Sequence, residues 1–228
     1  MRSFFIAGTD TGVGKTRISA ALIRALSARG KNVMGMKPVA TGCIRTGDGL
    51  RNPDAQTILA CLREQVPYEL VNPYAFEPPV APIFAAAAAN IRIEKDAVRR
   101  AFDSLSELAD TVIVEGIGGW RVPLSAGLQM TDLVRVMDLD VILVVGLRLG
   151  CINHALLSVE AIVKDGFRLA GWVANQIDAD YDGVQQTLDL IAGNCRAPLL
   201  GLVPYHAGAG RAGVDLELES GRLDVLMG

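Results

Sequence analysis

The chain has 228 residues, 50% of them hydrophobic and 21% charged, with 22 Lys and Arg against 25 Asp and Glu for a formal net charge of −3. That length can bury a sizeable core, and that apolar content excludes intrinsic disorder. Mild acidity argues against a nucleic-acid partner, which takes a clustered basic excess, and no stretch approaches the roughly 20 apolar residues of a membrane span. The four cysteines are scattered, without a C-x-x-C and with only two histidines beside them, which argues against a zinc site or a disulfide framework. The apolar start Phe4–Gly8 is too short for a secretion signal and runs straight into Asp10, so a cytoplasmic location is expected.

Along the chain, Ser3–Ala7 reads as a strand and Arg17–Arg29 as a helix. Ile18, Ala21, Leu22, Ala25 and Leu26 recur at helical spacing there, and Gly30 supplies the stop. Asn32–Val39 reads as a second strand cut by Pro38, and Asp54–Arg63 as a helix after Asn52-Pro53. Residues 66–84 hold five of the ten prolines and read as mostly irregular. The spacing then predicts a helix over Lys95–Leu108, a strand over Thr111–Val114 and a helix over Met130–Met137. A strand over Val141–Gly146 and a helix over Asn153–Lys164 follow. The series ends with a strand over Ala170–Asn175, a helix over Val184–Ala192 and a last strand over Leu199–Val203; the final 20 residues show no clear pattern. Apolar strands alternating with amphipathic helices predict one α/β domain over residues 1–228, a parallel sheet with helices on both faces. In such sheets ligands bind beyond the carboxyl ends of the strands.

The first of those ends is Gly8-Thr-Asp-Thr-Gly-Val-Gly-Lys15-Thr16, a glycine loop that opens a helix. Backbone N–H groups converge there and the helix dipole adds positive potential, so Gly12, Val13, Gly14, Lys15, Thr16 and Arg17 are candidates to hold a nucleoside triphosphate. Lys15 would reach the β- and γ-phosphates and Thr16 would meet Mg²⁺. The usual motif has glycine where this chain has Thr9, and Gly8 stands one step earlier. Glu115 closes the strand Thr111–Val114 and is placed either to hold the metal or to sit as an exposed strand-end acid. Asp54 is either a helix N-cap or part of the site. Lys37, ending the second strand, is either solvated or a second ammonium beside the phosphates, which would imply a second anion; Thr41 contacts that substrate or shapes a turn. Gly116, Ile117 and Gly118 form a loop suited to a phosphate or carboxylate. Asn153 reads as a helix cap or a polar contact, His154 and Cys151 as packing. Asn175 and Gln176 end a strand where a purine edge would lie, Asp178 is read as a turn, and Pro204, Tyr205 and His206 follow the last strand where a base would pack.

Taken together, Gly8–Thr16, Lys37-Pro-Val-Ala-Thr-Gly42, Asn72-Pro-Tyr74, Val114–Trp120, Val141–Gly146, Leu149–Ala155 and Ala170–Asn175 resemble the dethiobiotin synthetase family over roughly residues 3–206. The resemblance implies a P-loop cyclo-ligase that joins CO₂ to 7,8-diaminopelargonate at the expense of ATP. It implies Lys37 and Lys15 as catalytic groups, and Thr16, Asp54 and Glu115 as Mg²⁺ ligands. Gly12 to Arg17, Asp54, Glu115, Gly116, Ile117 and Gly118 would hold the phosphates, with Asn175, Gln176, Pro204, Tyr205 and His206 about the base. Thr11, Lys37, Thr41, Gly118, Ile152 and Asn153 would meet the diamine, the Ile152-Asn153 stretch across the interface of a homodimer. The chain departs from the family at Gly12, often acidic, at Ile117, usually alanine, and at Ile83, often histidine. Two other classes compete. A switch ATPase of the partitioning or septum-placement type would carry a signature lysine where this chain has Asp10. An amidoligase of the cobyrinic acid synthase type would carry a fused glutaminase domain, for which 228 residues leave no room.

Overall fold

The computed structural model describes residues 2–205. In chain order its elements are β1 (Phe4–Gly8), α1 (Lys15–Ala28), β2 (Val33–Met36), β3 (Val39–Ala40), β4 (Ile44–Thr46), β5 (Gly49–Arg51), α2 (Pro53–Leu59), α3 (Tyr68–Val71), β6 (Tyr74–Ala75) and α4 (Pro82–Ala88). They continue with α5 (Lys95–Ser106), β7 (Thr111–Glu115), β8 (Pro123–Ser125), β9 (Leu128–Gln129), α6 (Met130–Met137), β10 (Asp140–Leu147), α7 (Cys151–Lys164), β11 (Leu169–Gln176), α8 (Val184–Asn194) and β12 (Leu199–Val203).

Six strands form the central sheet in the order β12-β11-β10-β1-β7-β2, and every pairing is parallel. Alternation along each strand assigns its side chains to two cores. Phe4, Ile6, Ile113, Ile142, Val144 and Val173 face Ile18, Leu22 and Leu26 of α1 with Ala55 and Ile58 of α2. Phe5, Ala7, Val112, Val114, Leu143, Val145 and Trp172 face the other way, onto α5, α6, α7 and α8. Strands covered on both faces need no polar side, which is why β1 and the interior of β10 are apolar throughout. Truncating one such side chain typically costs about 2–5 kcal/mol. From β1 the chain runs to β2 and β7 on one flank and returns to β10, β11 and β12 on the other. The carboxyl end of β1 is therefore the topological switch point where a ligand crevice is expected.

Several predicted bounds shift. The second strand stops at Met36, and Val39–Ala40 pairs with β6 in a separate two-stranded ladder, because Pro38 breaks the run. The predicted helix 54–63 closes at Leu59. Residues 66–84 are more ordered than their prolines suggest: α3 and β6 lie within them, and α4 starts with Pro82 in its first turn, where a missing N–H is harmless. The small hairpins β4–β5 and β8–β9 have no counterpart in the sequence reading. Helix α7 begins at Cys151 with Gly150 as its N-cap, so Asn153 lies inside the first turn and caps nothing. Asp54 is not the cap of α2 either. Asn52 holds that place, its Oδ1 accepting from the N–H groups of Asp54 and Ala55. No helix among the described residues is long and apolar enough to cross a membrane.

Candidate active site

The segment between β1 and α1 is built around its glycines. Gly14 caps α1 with φ near +91°, a left-handed conformation that side chains rarely adopt, and a Cβ there would stand 2.2 Å from Asn175 Nδ2. Gly8 leaves space for the ammonium of Lys15, since a Cβ on it would come within 2.8 Å of Lys15 Nζ. Thr9, in the place of the motif's usual glycine, continues the sheet: its N–H donates to the Val144 carbonyl at 3.0 Å. Lys15 Nζ donates to the carbonyls of Asp10 at 2.9 Å and Gly118 at 2.6 Å, so the glycine loop after β7 closes over the loop after β1.

A second cluster stands beside the first. Lys37 follows β2 and is only 3% exposed. Its ammonium donates to Glu115 Oε1 at 2.5 Å, to the Gly116 carbonyl at 3.0 Å and to Asp54 Oδ2 at 3.4 Å. Thr16 Oγ1 donates to the same Glu115 oxygen at 2.9 Å. Three strand and helix ends thus converge on one carboxylate, which is 1% exposed. Burial works to deprotonate Lys37, but Glu115 and Asp54 outweigh it and raise its pKa above the ordinary lysine value. Lys15 goes the other way. Burial and the neighbouring Lys37 lower it to about 8 against the opposing pull of Glu115, Asp54 and Asp10.

The backbone of Lys37 is fixed from below by residues the sequence reading gave no role. Its N–H donates to the Val71 carbonyl, and its own carbonyl accepts from Asn72 Nδ2, both at 2.7 Å. Asn72 Oδ1 accepts from the Tyr68 hydroxyl, which in turn accepts from the Asn52 N–H at 2.7 Å. The Asn72-Pro-Tyr74 segment is a signal in the sequence, but it does not reveal the partner. On the far side Trp120 Nε1 and Arg121 each donate to a different oxygen of Asp165, at 2.8 and 2.7 Å, and so tie the glycine loop to the end of α7.

A cavity of about 430 Å³ opens over both clusters. Its walls include Thr11, Gly12, Gly14, Lys15, Thr16 and Arg17 from the first loop, Lys37 and Thr41 after β2, Asp54 from α2, and Glu115, Ile117 and Gly118 after β7. Val13 is buried beneath the loop, with its carbonyl held by Asn175 Nδ2 at 2.8 Å. The remaining candidates do not line this cavity. Ile152 and the exposed Asn153 sit at the start of α7. Asn175 is 2% exposed, and its Oδ1 accepts from Arg17 Nη1 at 3.4 Å. Gln176 Oε1 accepts from the Tyr205 N–H at 3.4 Å, and Pro204 and Tyr205 are exposed. His206 lies outside the described residues. A larger groove of about 690 Å³ runs between the start of α5, the β8–β9 hairpin and α6, but it contains none of the predicted site residues.

Thr16, Asp54 and Glu115 offer a hydroxyl and two carboxylates, the hard oxygen donors that Mg²⁺ takes. Glu115 Oε2 is buried without a hydrogen-bond partner, so this donor set fits a bound divalent cation. Among the described residues no group of three or more His, Cys, Asp or Glu stands together.

A parallel sheet whose switch-point strand opens through a glycine loop into a Lys-Thr helix start defines a P-loop nucleotide-binding α/β protein. Comparison with known proteins agrees. Residues 2–212 match the model of the AAA domain family. The chain is 45% identical over 207 residues to the ATP-dependent dethiobiotin synthetase BioD of Xanthomonas oryzae pv. oryzae, covering 91% of this chain and 92% of that one. It is 48% identical over 223 residues to the protein of that name from Pseudomonas paraeruginosa, covering 96% of each. The chain belongs to the ATP-dependent dethiobiotin synthetase family, whose members are ligases. Solved structures of septum-placement ATPases share the fold at low identity: the Aquifex aeolicus MinC:MinD complex has a TM-score of 0.57 at 18% identity, covering 90% of this chain and 82% of that one. The Pyrococcus furiosus cell division ATPase MinD has a TM-score of 0.56 at 15% identity, covering 99% and 98%.

Proposed function

We propose that this chain is a cyclo-ligase of biotin biosynthesis that closes a cyclic urea from 7,8-diaminopelargonate and CO₂ while converting ATP to ADP and phosphate. The observation that carries the reading is the buried Lys37 ammonium beside the P-loop cavity. P-loop hydrolases do not generally need a second lysine, and the switch ATPases that carry one would have it where this chain has Asp10. A second, buried cation next to Lys15 suits the transfer of phosphate to another anion.

One amine of the diamine attacks CO₂ and loses a proton, forming a carbamate anion. A carbamate oxygen then attacks the γ-phosphorus of ATP and ADP leaves, forming a carbamic–phosphoric anhydride. The second amine attacks the carbamate carbon and gives up a proton, phosphate departs with the bonding pair of the broken C–O bond, and the five-membered cyclic urea closes. Lys15 and the N–H groups of Gly12 to Arg17 neutralise and orient the β- and γ-phosphates. Lys37 draws the carbamate towards the γ-phosphorus, and Thr41 and Gly118 flank the substrate. Thr16, Asp54 and Glu115 would hold Mg²⁺, which when bound supplies positive charge at the phosphate oxygens. Asn175, Gln176, Pro204, Tyr205 and His206 form the base side. Ile152 and Asn153 serve the diamine carboxylate of a second protomer in a cytoplasmic homodimer, each protomer one domain.

Phosphate release from Mg·ATP, measured with and without the diamine and bicarbonate, tests this together with the product mass. Diamine-dependent release with a product of dethiobiotin mass is expected. Release indifferent to the diamine would overturn the ligase reading.

A further inference from the structure

Lys37 has three partners in the cavity floor, and two of them are carboxylates assigned above to the metal. Its ammonium lies 2.5 Å from Glu115 Oε1 and 3.4 Å from Asp54 Oδ2, on the ground these carboxylates share with the Thr16 hydroxyl. Arg or a solvated lysine would not do this. The ammonium is a compact charge with three donors, all three used here, and it is sealed from water. Glu115 Oε2, by contrast, has no partner. The lysine therefore neutralises Glu115 without satisfying it: Oε1 is held, and Oε2 is left without a hydrogen-bond partner.

We propose that Lys37 is a placeholder cation, holding Glu115 and Asp54 together in the nucleotide-free protein and yielding them to the divalent cation that arrives with the nucleotide. Three consequences make this more than a description of an ion pair. The two carboxylates are kept from repelling one another, so the site is assembled before its ligand arrives. A dication and an ammonium compete for the same oxygens, so metal binding without nucleotide is weakened by Lys37. The ammonium, once displaced from Glu115 and Asp54, would lack a counter-charge and favour another anion nearby. Metal occupancy and the binding of an anionic substrate are thereby coupled in the same direction through one side chain.

This inference rests on the metal assignment under the proposed function, and the experiment separates the two. Free Mn²⁺ is followed by electron paramagnetic resonance during titration into the full chain without nucleotide, for the wild type, Lys37→Met and Glu115→Gln. The expected result is that Lys37→Met binds Mn²⁺ at least about tenfold more tightly than the wild type, while Glu115→Gln binds it more weakly. If Glu115→Gln weakens binding but Lys37→Met matches the wild type or falls below it, the placeholder role is overturned and the metal assignment stands. If neither variant changes binding, both fall. Lys37→Met leaves Glu115 buried without its counter-charge and can unfold for that reason. In that event the circular dichroism melt decides. Recovery of the folded signal on adding Mn²⁺, without recovery on adding the same concentration of K⁺, supports the placeholder role, and no recovery overturns it.

Discussion

The phosphate end and the base end of the proposed nucleotide site are built in different ways. At the phosphate end Lys15 and Lys37 each have two or three protein partners, and Glu115 is almost wholly buried. At the base end Asn175 is buried under the loop and turns its amide to Val13 and Arg17, while Gln176 and Tyr205 meet through one bond at 3.4 Å. The difference follows from position. Charges gathered at strand ends in a low-dielectric crevice must be paired or they cost several kcal/mol each, so that end is over-determined. A base is held by contact with neutral surface, which carries no such demand. Structural constraint is therefore concentrated at one end of the proposed site.

The largest expected effect lies there. Lys37→Ala should lower kcat by about a hundred- to a thousandfold, the usual loss for removing one preorganised stabilising donor, with ATP binding retained. A Kd for ATP by calorimetry beside the kcat checks it. Lost ATP affinity with normal turnover at saturation would remove Lys37 from the chemistry. Gly14→Ala should come next, because the new Cβ meets Asn175 Nδ2 and must adopt φ near +91°. Strain of about 1–3 kcal/mol would lower the Tm by roughly 5 °C in a thermal melt, and would weaken nucleotide binding because that residue caps the N-terminus of α1. An unchanged melt would mean that Asn175 moves aside freely and that the two ends are only loosely joined.

The same contrast separates what could be read in the sequence from what could not. The P-loop was legible because its residues are adjacent and each has a local reason: glycines for the turn, Lys15 and Thr16 for the phosphates. The order of apolar strands was legible because strands buried on both faces leave uninterrupted apolar runs. Local sequence left Lys37, Asp54 and Glu115 each with an alternative reading, and only the family resemblance put them in one site, since they lie on three separate elements. Asp54 in particular sits two residues after Asn52, and local sequence cannot say which of two cap-forming residues caps. Asn72 is the same case, a buried amide whose partner is a carbonyl 35 residues away. The helix from Pro82 and the hairpin Ile44–Arg51 were readable in principle, from proline at a helix start and from a Gly-Asp turn, and the density of prolines masked the first.

A smaller effect probes the charge on Lys15. Its pKa in the free protein is about 8, and triphosphate binding favours the protonated form. Affinity should therefore be steady below pH 7 and fall as pH rises through 8, by up to about tenfold per unit, until the pKa of the bound state is reached. Calorimetric titrations at pH 6.5, 7.5, 8.5 and 9.5 measure the slope. A flat profile would show Lys15 fully charged across the range, and the depression by burial and Lys37 would be absent in solution.

The smallest effect is expected at the base end. Tyr205 is exposed, its backbone N–H donates to Gln176 Oε1, and among the described residues no hydrogen bond orients its ring. Surface substitutions of this kind usually stay within about 0.5 kcal/mol, which is a factor of two to three. Tyr205→Ala should raise the KM for ATP by no more than about threefold and leave kcat unchanged. The same variant should alter the ratio of KM values for ATP and GTP by less than that factor, because an unconstrained ring contacts either purine alike. A tenfold rise in KM for ATP alone would mean that the base end closes on its ligand and contributes selectivity. The binding energy would then be shared along the site, and the asymmetry would not extend to ligand binding.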